Sequence, residues 1–141
     1  MEGKNPSTPI MGISPAAKKP GNKNDIAVLP VLYDLIVWFS GKISAYPKKF
    51  KYSLGERITN TLLDILERLI EARYSSKKKS HFLRQANILL EKFRYLVRLS
   101  KDLQCMSIKE YEYAASKLHE IGCMVGGWEQ YSREKEVGEE I

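Results

Sequence analysis

Apolar residues recur at steps of three and four along most of this chain, and this periodicity constrains its fold more than any other feature. Four segments carry the pattern, and each marks one face of an amphipathic helix. The second segment is the clearest, with one face formed by Leu54, Ile58, Leu62, Ile65 and Leu69. Apolar and polar residues alternate nowhere over a length that would indicate a strand. The pattern therefore predicts an all-α protein.

Turn and capping residues set the predicted ends of the helices. Proline is tolerated in a first helical turn, so the first helix is predicted to begin near Pro30, and Pro47 to end it. The S-x-x-E sequences Ser53–Glu56 and Ser107–Glu110 are capping boxes, which predict the starts of the second and fourth helices. Polar residues place the turn into the third helix at Tyr74–Ser80. Links this short favour an antiparallel up-down four-helix bundle.

Composition divides the chain into three parts. Residues 1–25 hold four prolines and only isolated apolar residues, so this segment is predicted to be a disordered basic tail when alone. Residues 26–130 form the predicted bundle, and residues 131–141 an acidic C-terminal tail.

The sequence suggests neither a signal peptide nor a membrane-spanning helix. No apolar stretch typical of a signal peptide occurs in the first twenty-five residues, which favours a soluble cytoplasmic protein. The strongest apolar run, Ile26–Phe39, is interrupted by Pro30 and Asp34. It is also shorter than the roughly 20 residues of a membrane-spanning helix, so no membrane partner is expected.

Some apolar side chains lie outside the predicted core stripes. Trp38 and Tyr46 fall off the stripe of the first helix, and Leu63, Leu66 and Ile70 broaden that of the second. A helix that is apolar over so wide an arc contacts either two helices of its own bundle or another subunit. Trp38 and the three residues of the second helix are therefore candidates for an oligomer interface. Partial exposure in a small bundle is the alternative.

Positive charge is concentrated in the middle of the chain. The formal net charge is +6, yet between Lys42 and Lys101 fifteen Lys and Arg face five Asp and Glu, a local net of +10. From Glu129 onward five acids face two basic residues, a local net of −3. This distribution indicates a polyanion-binding surface in the middle of the chain, and a solvated basic face without a specific partner is the alternative.

The third predicted helix carries the most informative basic residues. Arg94, Arg98 and Lys101 follow at steps of four and three, so they share one face, where only Glu91 opposes them before Asp102. Like charges repel along such a stripe, and a polyanion would complete it. The predicted contacts to nucleic acid or a partner protein are Lys48, Lys49, Lys77, Lys78, Lys79, Arg84, Lys92, Arg94, Arg98 and Lys101.

Residues for catalysis or metal binding are sparse. His81 and His119 lack the spacing of metal ligands, and no pair of carboxylates occupies an inward face. Cys105 and Cys123 have no C-x-x-C spacing and are predicted to be small core or half-buried residues. The chain is thus predicted not to be an enzyme and to use no metal, cofactor or small-molecule substrate.

Glycines in the fourth predicted helix are unusual, because glycine disfavours a helix interior. Gly122 and the Gly126-Gly127 pair lie there. They indicate either the close approach of another backbone or a kink before Trp128.

Three stretches, Tyr52–Ile58, Phe93–Leu99 and Ile121–Trp128, resemble one four-helix-bundle family. That family contains the accessory variability protein (Avd) of diversity-generating retroelements and the proteins encoded in intervening sequences of large-subunit ribosomal RNA genes. The resemblance covers roughly residues 32–128.

For the Avd branch, the resemblance implies a homopentameric barrel that binds the reverse transcriptase of the element and its template RNA, with the cDNA as a further nucleic-acid partner. It implies a role in error-prone cDNA synthesis, with Arg94 and Arg98 at positions of partner or nucleic-acid contact. For the intervening-sequence branch, it implies a self-associating bundle with a general interaction role.

Overall fold

The computed structural model describes the backbone of residues 23–140 and the side chains of residues 27–138. Within these bounds it has five helices: α1 (Lys23–Ile43), α2 (Lys48–Lys51), α3 (Leu54–Tyr74), α4 (Lys79–Asp102) and α5 (Ile108–Glu140). The described residues include no strand, which confirms the all-α prediction. Most of the predicted N-terminal tail, residues 1–22, lies outside the described residues.

The four long helices form a bundle around one apolar core. Helices α1 and α4 each contact both α3 and α5, so every long helix has two packed neighbours. The bulkiest fully buried side chains come from all four: Leu32, Leu35, Phe39, Ile58, Leu62, Ile65, Leu69, Leu83, Leu90, Phe93, Leu118 and Trp128. Phe39 of α1 meets Phe93 of α4 edge-on across the centre, with the ring centroids 5.3 Å apart. Burial of this apolar surface is the main force that holds the helices together.

Helix α1 begins seven residues earlier than predicted, and Pro30 lies inside it. Proline removes a backbone donor and disfavours a helix interior. The helix continues because Val28 and Leu32, on either side of the proline, are both fully buried in the core. Pro30 itself is on the exposed side, where a carbonyl that has lost its donor can face water. Packing therefore outweighs the local preference that predicted the helix start.

The connection from α1 to α3 differs from the prediction in two ways. Residues after Pro47 form the one-turn helix α2 rather than an irregular link. Ser53 precedes α3, but its side chain makes no capping hydrogen bond there. Its hydroxyl donates instead to the carbonyl of Lys49, 3.2 Å away, because α2 places that free carbonyl within reach. The capping box predicted at Ser53–Glu56 is therefore wrong, although α3 does begin at Leu54.

The capping box predicted before the fourth long helix is confirmed. The N–H of Glu110 donates to Ser107 Oγ at 3.1 Å, and the N–H of Ser107 donates to Glu110 Oε1 at 2.9 Å. These reciprocal bonds satisfy donors that a helix start leaves free. The backbone bond from Ser107 is the main cause that lowers the pKa of Glu110, and Lys42, whose Nζ lies 3.3 Å away, lowers it further.

The buried face of α5 runs from Ala114 to Ser132. Ala114 is fully buried, whereas its neighbour Ala115 and Ile108, the first residue of the helix, are exposed. The stripe continues through Ile121 and Trp128 as far as Ser132. Helix α5 thus extends well into the segment from residue 131 onward. There Glu136 accepts hydrogen bonds from the hydroxyl and N–H of Ser80, at 2.5 and 3.1 Å, in the first turn of α4.

Tyr46 belongs to the core and not to a second contact surface. Its side chain is 4% exposed, and its hydroxyl donates to Ser100 Oγ at 3.0 Å. Ser100 is itself fully buried on α4. Burial raises the pKa of Tyr46. This bond fixes the α1–α3 connection against the end of α4, because a buried hydroxyl needs a partner.

Candidate nucleic-acid interface

Arg94 is held against the neighbouring helix. Its Nη1 pairs with Glu91, one turn earlier, at 3.1 Å, and its Nη2 donates to the carbonyl of Leu118 on α5 at 3.5 Å. The side chain is half-buried as a result. A guanidinium has five donors, so Arg94 can tether α4 to α5 and still present donors outward.

Gly122 makes room for this guanidinium. A Cβ atom at position 122 would lie 2.5 Å from Nη2 of Arg94, so any side chain there would require the guanidinium to move. A Cβ at Gly126 would meet nothing within 4 Å. The close approach that the glycine at position 122 indicated is therefore real, but the approaching group is an arginine head and not a backbone.

The other two residues of the predicted stripe are also paired. Arg98 Nε lies 3.8 Å from Asp102, and Lys101 Nζ lies 3.6 Å from the same carboxylate. Lys101 Nζ also lies 4.8 Å from the centre of the Tyr111 ring, a cation–π distance. The stripe is therefore partly neutralised. Three cations share two acids, so about one positive charge remains in excess, and these exposed pairs are weak enough to exchange for phosphate.

Arg84 and Lys92 differ from the stripe. Both are exposed, and neither lies within ion-pair distance of an acid among the described residues. Because neither side chain is paired with an acid, an anionic partner can bind them without breaking an existing ion pair.

The lysines at the α3–α4 turn have different roles. Lys77 and Lys78 are exposed in the turn. Lys79 is half-buried, and its Nζ donates to the carbonyls of Ala72 and Arg73 at 2.9 Å each. It therefore caps the end of α3, where carbonyls lack helical partners. Only the first two lysines of this run are candidates for phosphate contact.

Lys48 and Lys49 lie at the opposite end of the bundle from the turn lysines. Helix α3 separates the two groups, and its 21 residues correspond to about 30 Å. The bond from Tyr46 to Ser100 places Lys48 and Lys49 at the same end as the last turn of α4. The structure therefore does not bring the predicted basic residues into one patch. It forms one cluster at each end, with Arg84 and Lys92 between them.

An open groove of about 570 Å³ lies at the Lys48 end, between the start of α3 and the end of α4. Its apolar floor includes Leu54, Leu96 and Leu99, and Arg57 lies on its rim. Tyr52, also on the rim, is 70% exposed. Sequence reasoning missed Arg57, Lys51 and Tyr52. Their signal was the alternation of basic and aromatic residues from Lys48 to Tyr52, which is common at single-stranded nucleic-acid sites.

The candidates for an oligomer interface fall into two groups. Leu63 and Ile70 are exposed on α3, while Leu66 is half-buried against the core. Trp38 is half-buried as well, and it packs against Tyr113 of α5 with the ring centroids 4.8 Å apart. Trp38 therefore already has intramolecular partners, whereas the two α3 residues retain free surface.

The cysteines do not form part of a cluster. Cys105 is half-buried, and burial raises the pKa of its thiol. Cys123 is exposed, with its sulfur 3.6 Å from His119 Nε2 one turn away. Within the described part of the chain, no three His, Cys, Asp or Glu side chains are arranged to hold a metal ion. None of the described helices is both long and apolar enough to span a membrane.

Comparison with known proteins gives one match. The model of the family described as bAvd-like matches residues 28–132, which include all four long helices in whole or in part. A search of curated proteins and a search of solved structures each returned no match.

Proposed function

Because this chain belongs to the bAvd-like family, we propose that it is a non-enzymatic accessory protein of a diversity-generating retroelement. In this role it binds the reverse transcriptase and the template RNA and supports mutagenic cDNA synthesis. The observation that carries the proposal is the family match over residues 28–132. The chain functions as a homopentamer of antiparallel up-down bundles.

Paired contacts support the antiparallel arrangement of α4 and α5. Ser80 bonds to Glu136, Asn87 to Glu129 at 3.1 Å, and Arg94 to the carbonyl of Leu118. The residue number rises along α4 as that of its partner falls along α5. Helices α1 and α5 behave in the same way, since Trp38 packs on Tyr113 and Lys42 pairs with Glu110.

Electrostatics supports the choice of RNA as a partner. Lys48 and Lys49 are exposed at the same end of the bundle as Arg98 and Lys101, where these cations can meet phosphates. Binding of phosphates by lysine and arginine releases counterions, so the affinity should fall steeply as salt rises. The exposed Tyr52 ring beside these cations offers a face on which an unpaired base can stack.

The test is co-purification of the full chain with its reverse transcriptase and template RNA. Charge reversal of Lys48, Lys49 and Arg98 to Glu should abolish RNA retention and leave the helical circular dichroism unchanged. Reversal of Lys109, Arg133 and Lys135, which are exposed on α5, changes the net charge equally and serves as the matched control. Equal loss in both triple variants would indicate a nonspecific charge effect. If the wild-type protein retained neither the polymerase nor the RNA, the intervening-sequence type of role would replace this proposal.

A further inference from the structure

A cysteine and a histidine lie side by side on the outer face of α5. Cys123 Sγ is 3.6 Å from Nε2 of His119, one turn earlier, and both residues are exposed. Ile121 and Val125, two residues before and after the cysteine, are fully buried. Because two residues correspond to about 200° around a helix, Cys123 lies on the side of α5 opposite the core. Both groups are therefore accessible from solvent.

The distance between this sulfur and this nitrogen is that between two ligands of one zinc ion. Zinc lies about 2.3 Å from a thiolate sulfur and about 2.05 Å from an imidazole nitrogen, in tetrahedral geometry. Two such ligands are therefore about 3.6 Å apart. Cys123 and His119 have this separation, so the pair has the spacing of half a tetrahedral zinc site.

One chain supplies only half of the ligands. Structural zinc sites have four protein ligands. Among the described residues, no third His, Cys, Asp or Glu side chain joins Cys123 and His119 in an arrangement that could hold a metal ion. The same pair from a second copy would complete a set of two sulfurs and two nitrogens, which is typical of zinc. The two halves would meet about a two-fold axis, because each copy presents the same surface.

Small residues around the pair leave room for a second helix. Ser116 lies two turns before Cys123 on the same side of α5, and Gly126 and Gly127 lie one turn after it. A Cβ atom at Gly126 would meet nothing within 4 Å, so no neighbour in its own chain requires glycine there. Without large side chains, two α5 helices can approach closely enough for ligands from both to reach one ion.

Local charge does not oppose a metal dication at this place. Lys117, the basic residue closest to the pair in sequence, lies 3.6 Å from Glu120. The Arg94 guanidinium, which leans on α5, pairs with Glu91. Each of these positive charges therefore has an acidic partner.

We propose that Cys123 and His119 of two copies of this chain together bind one zinc ion. Each copy contributes one thiolate and one imidazole, and the two α5 helices cross at the metal. Binding displaces the thiol proton of each cysteine to solvent. The inference goes beyond the proposed function and does not depend on it. The sequence predicted no metal, because spacing within one chain cannot show a ligand set that two copies share.

The test is a zinc titration of the full chain, freed of metal and kept reduced by a phosphine. The wild type should bind one zinc ion per two chains, and its mass by light scattering should rise about twofold over the metal-free form. Cys123→Ser and His119→Gln should each lower the zinc affinity about a hundredfold, since each removes two of the four ligands. Their circular dichroism should stay helical.

Cys105→Ser and His81→Gln are the matched controls, because they remove the same residue types outside the site. Both should bind zinc like the wild type. Saturation at one zinc ion per chain with unchanged mass would overturn the shared site. Equal loss of affinity in the controls and in the site variants would overturn it as well.

Cobalt(II) provides a second measurement that reports the ligands directly. Tetrahedral cobalt bound to thiolate absorbs visible light far more strongly than hydrated octahedral cobalt. The wild type should give the strong tetrahedral spectrum, and Cys123→Ser should lose it. A weak octahedral spectrum in the wild type would contradict the proposal. So would a dimer that resists a chelator and disappears with reductant, since that behaviour identifies a Cys123 disulfide. RNA retention by the metal-free protein tests the proposed function separately.

Discussion

The guanidinium of Arg94 on α4 lies over Gly122 on α5, so close that a Cβ atom at position 122 would require the guanidinium to move. Arg94, which the sequence predicted to contact nucleic acid, and Gly122, which the sequence left unexplained, are therefore in contact with each other. The hydrogen bond from Arg94 to the Leu118 carbonyl belongs to the same contact. It makes Arg94 a link between two helices as well as a surface cation, and it can be tested apart from RNA binding.

Alanine at Gly126 should stabilise the protein by about 1 kcal/mol, because alanine favours a helix interior and the new methyl group has open space. Alanine at Gly122 should give less than this gain, since the methyl group displaces the Arg94 head. Urea unfolding of both variants measures the difference. In an Arg94→Ala background the two substitutions should give equal gains. A persistent difference there would mean that Arg94 is not the obstacle.

Ser107→Ala should destabilise the protein by about 1 kcal/mol through loss of a helix cap. Ser53→Ala is the matched control, since Ser53 makes no capping bond, and it should change the unfolding free energy by less than about 0.5 kcal/mol. Thermal unfolding of the two variants provides the comparison. Equal losses would contradict the different roles of the two serines.

The capping box should also appear in the pH dependence of stability. The folded state lowers the pKa of Glu110, so this residue contributes stability that is fully present above its unfolded pKa of about 4.3. That contribution is lost as pH falls through the lower pKa of the folded state. Glu110→Gln should flatten this part of the stability profile between pH 5 and the acid limit, as followed by urea unfolding at each pH. An unchanged slope would show that Glu110 does not contribute.

Tyr46→Phe should cost about 1 kcal/mol, because it removes a buried hydrogen bond and leaves the Ser100 hydroxyl without this partner. Ser100→Ala should cost a similar amount for the same reason. The double variant should lose less than the sum of the two, and denaturant unfolding of all three completes the cycle. Strict additivity would mean that the two hydroxyls do not interact.

Asp102→Asn should raise RNA affinity by a factor on the order of three, since it frees Arg98 and Lys101 from an exposed pair worth under about 1 kcal/mol. Glu112→Gln removes the same charge from an exposed site on α5 and should have a smaller effect. Filter binding at two salt concentrations measures both. If the two variants gained equally, the net charge and not the release of these cations would be responsible.

Much of the fold could be predicted because it depends on neighbours in sequence. Apolar periodicity located the four long helices, and the Ser107–Glu110 box placed the start of α5. Two local signals failed. Helix α1 does not start at Pro30, because burial of Val28 and Leu32 stabilises the helical turn before the proline. The Ser53 hydroxyl does not cap α3, because it donates to a carbonyl of α2.

The candidate site was harder to predict, since its geometry depends on residues far apart in sequence. The basic residue types of α4 were evident, but their acidic partners and the distance between the two lysine groups were not. A count of charges cannot show that Lys79 caps a helix or that Arg94 leans on α5.

The sequence by itself determined that there are four long helices and the sign of the charge, because backbone hydrogen bonding and amphipathic periodicity act over only a few residues. Tertiary structure alone decided that Tyr46 meets Ser100, that Glu136 meets Ser80, and that Arg94 covers Gly122. Each of these contacts forms only when the core has packed the helices side by side. Burial of the apolar stripes therefore gives the polar surface its final arrangement.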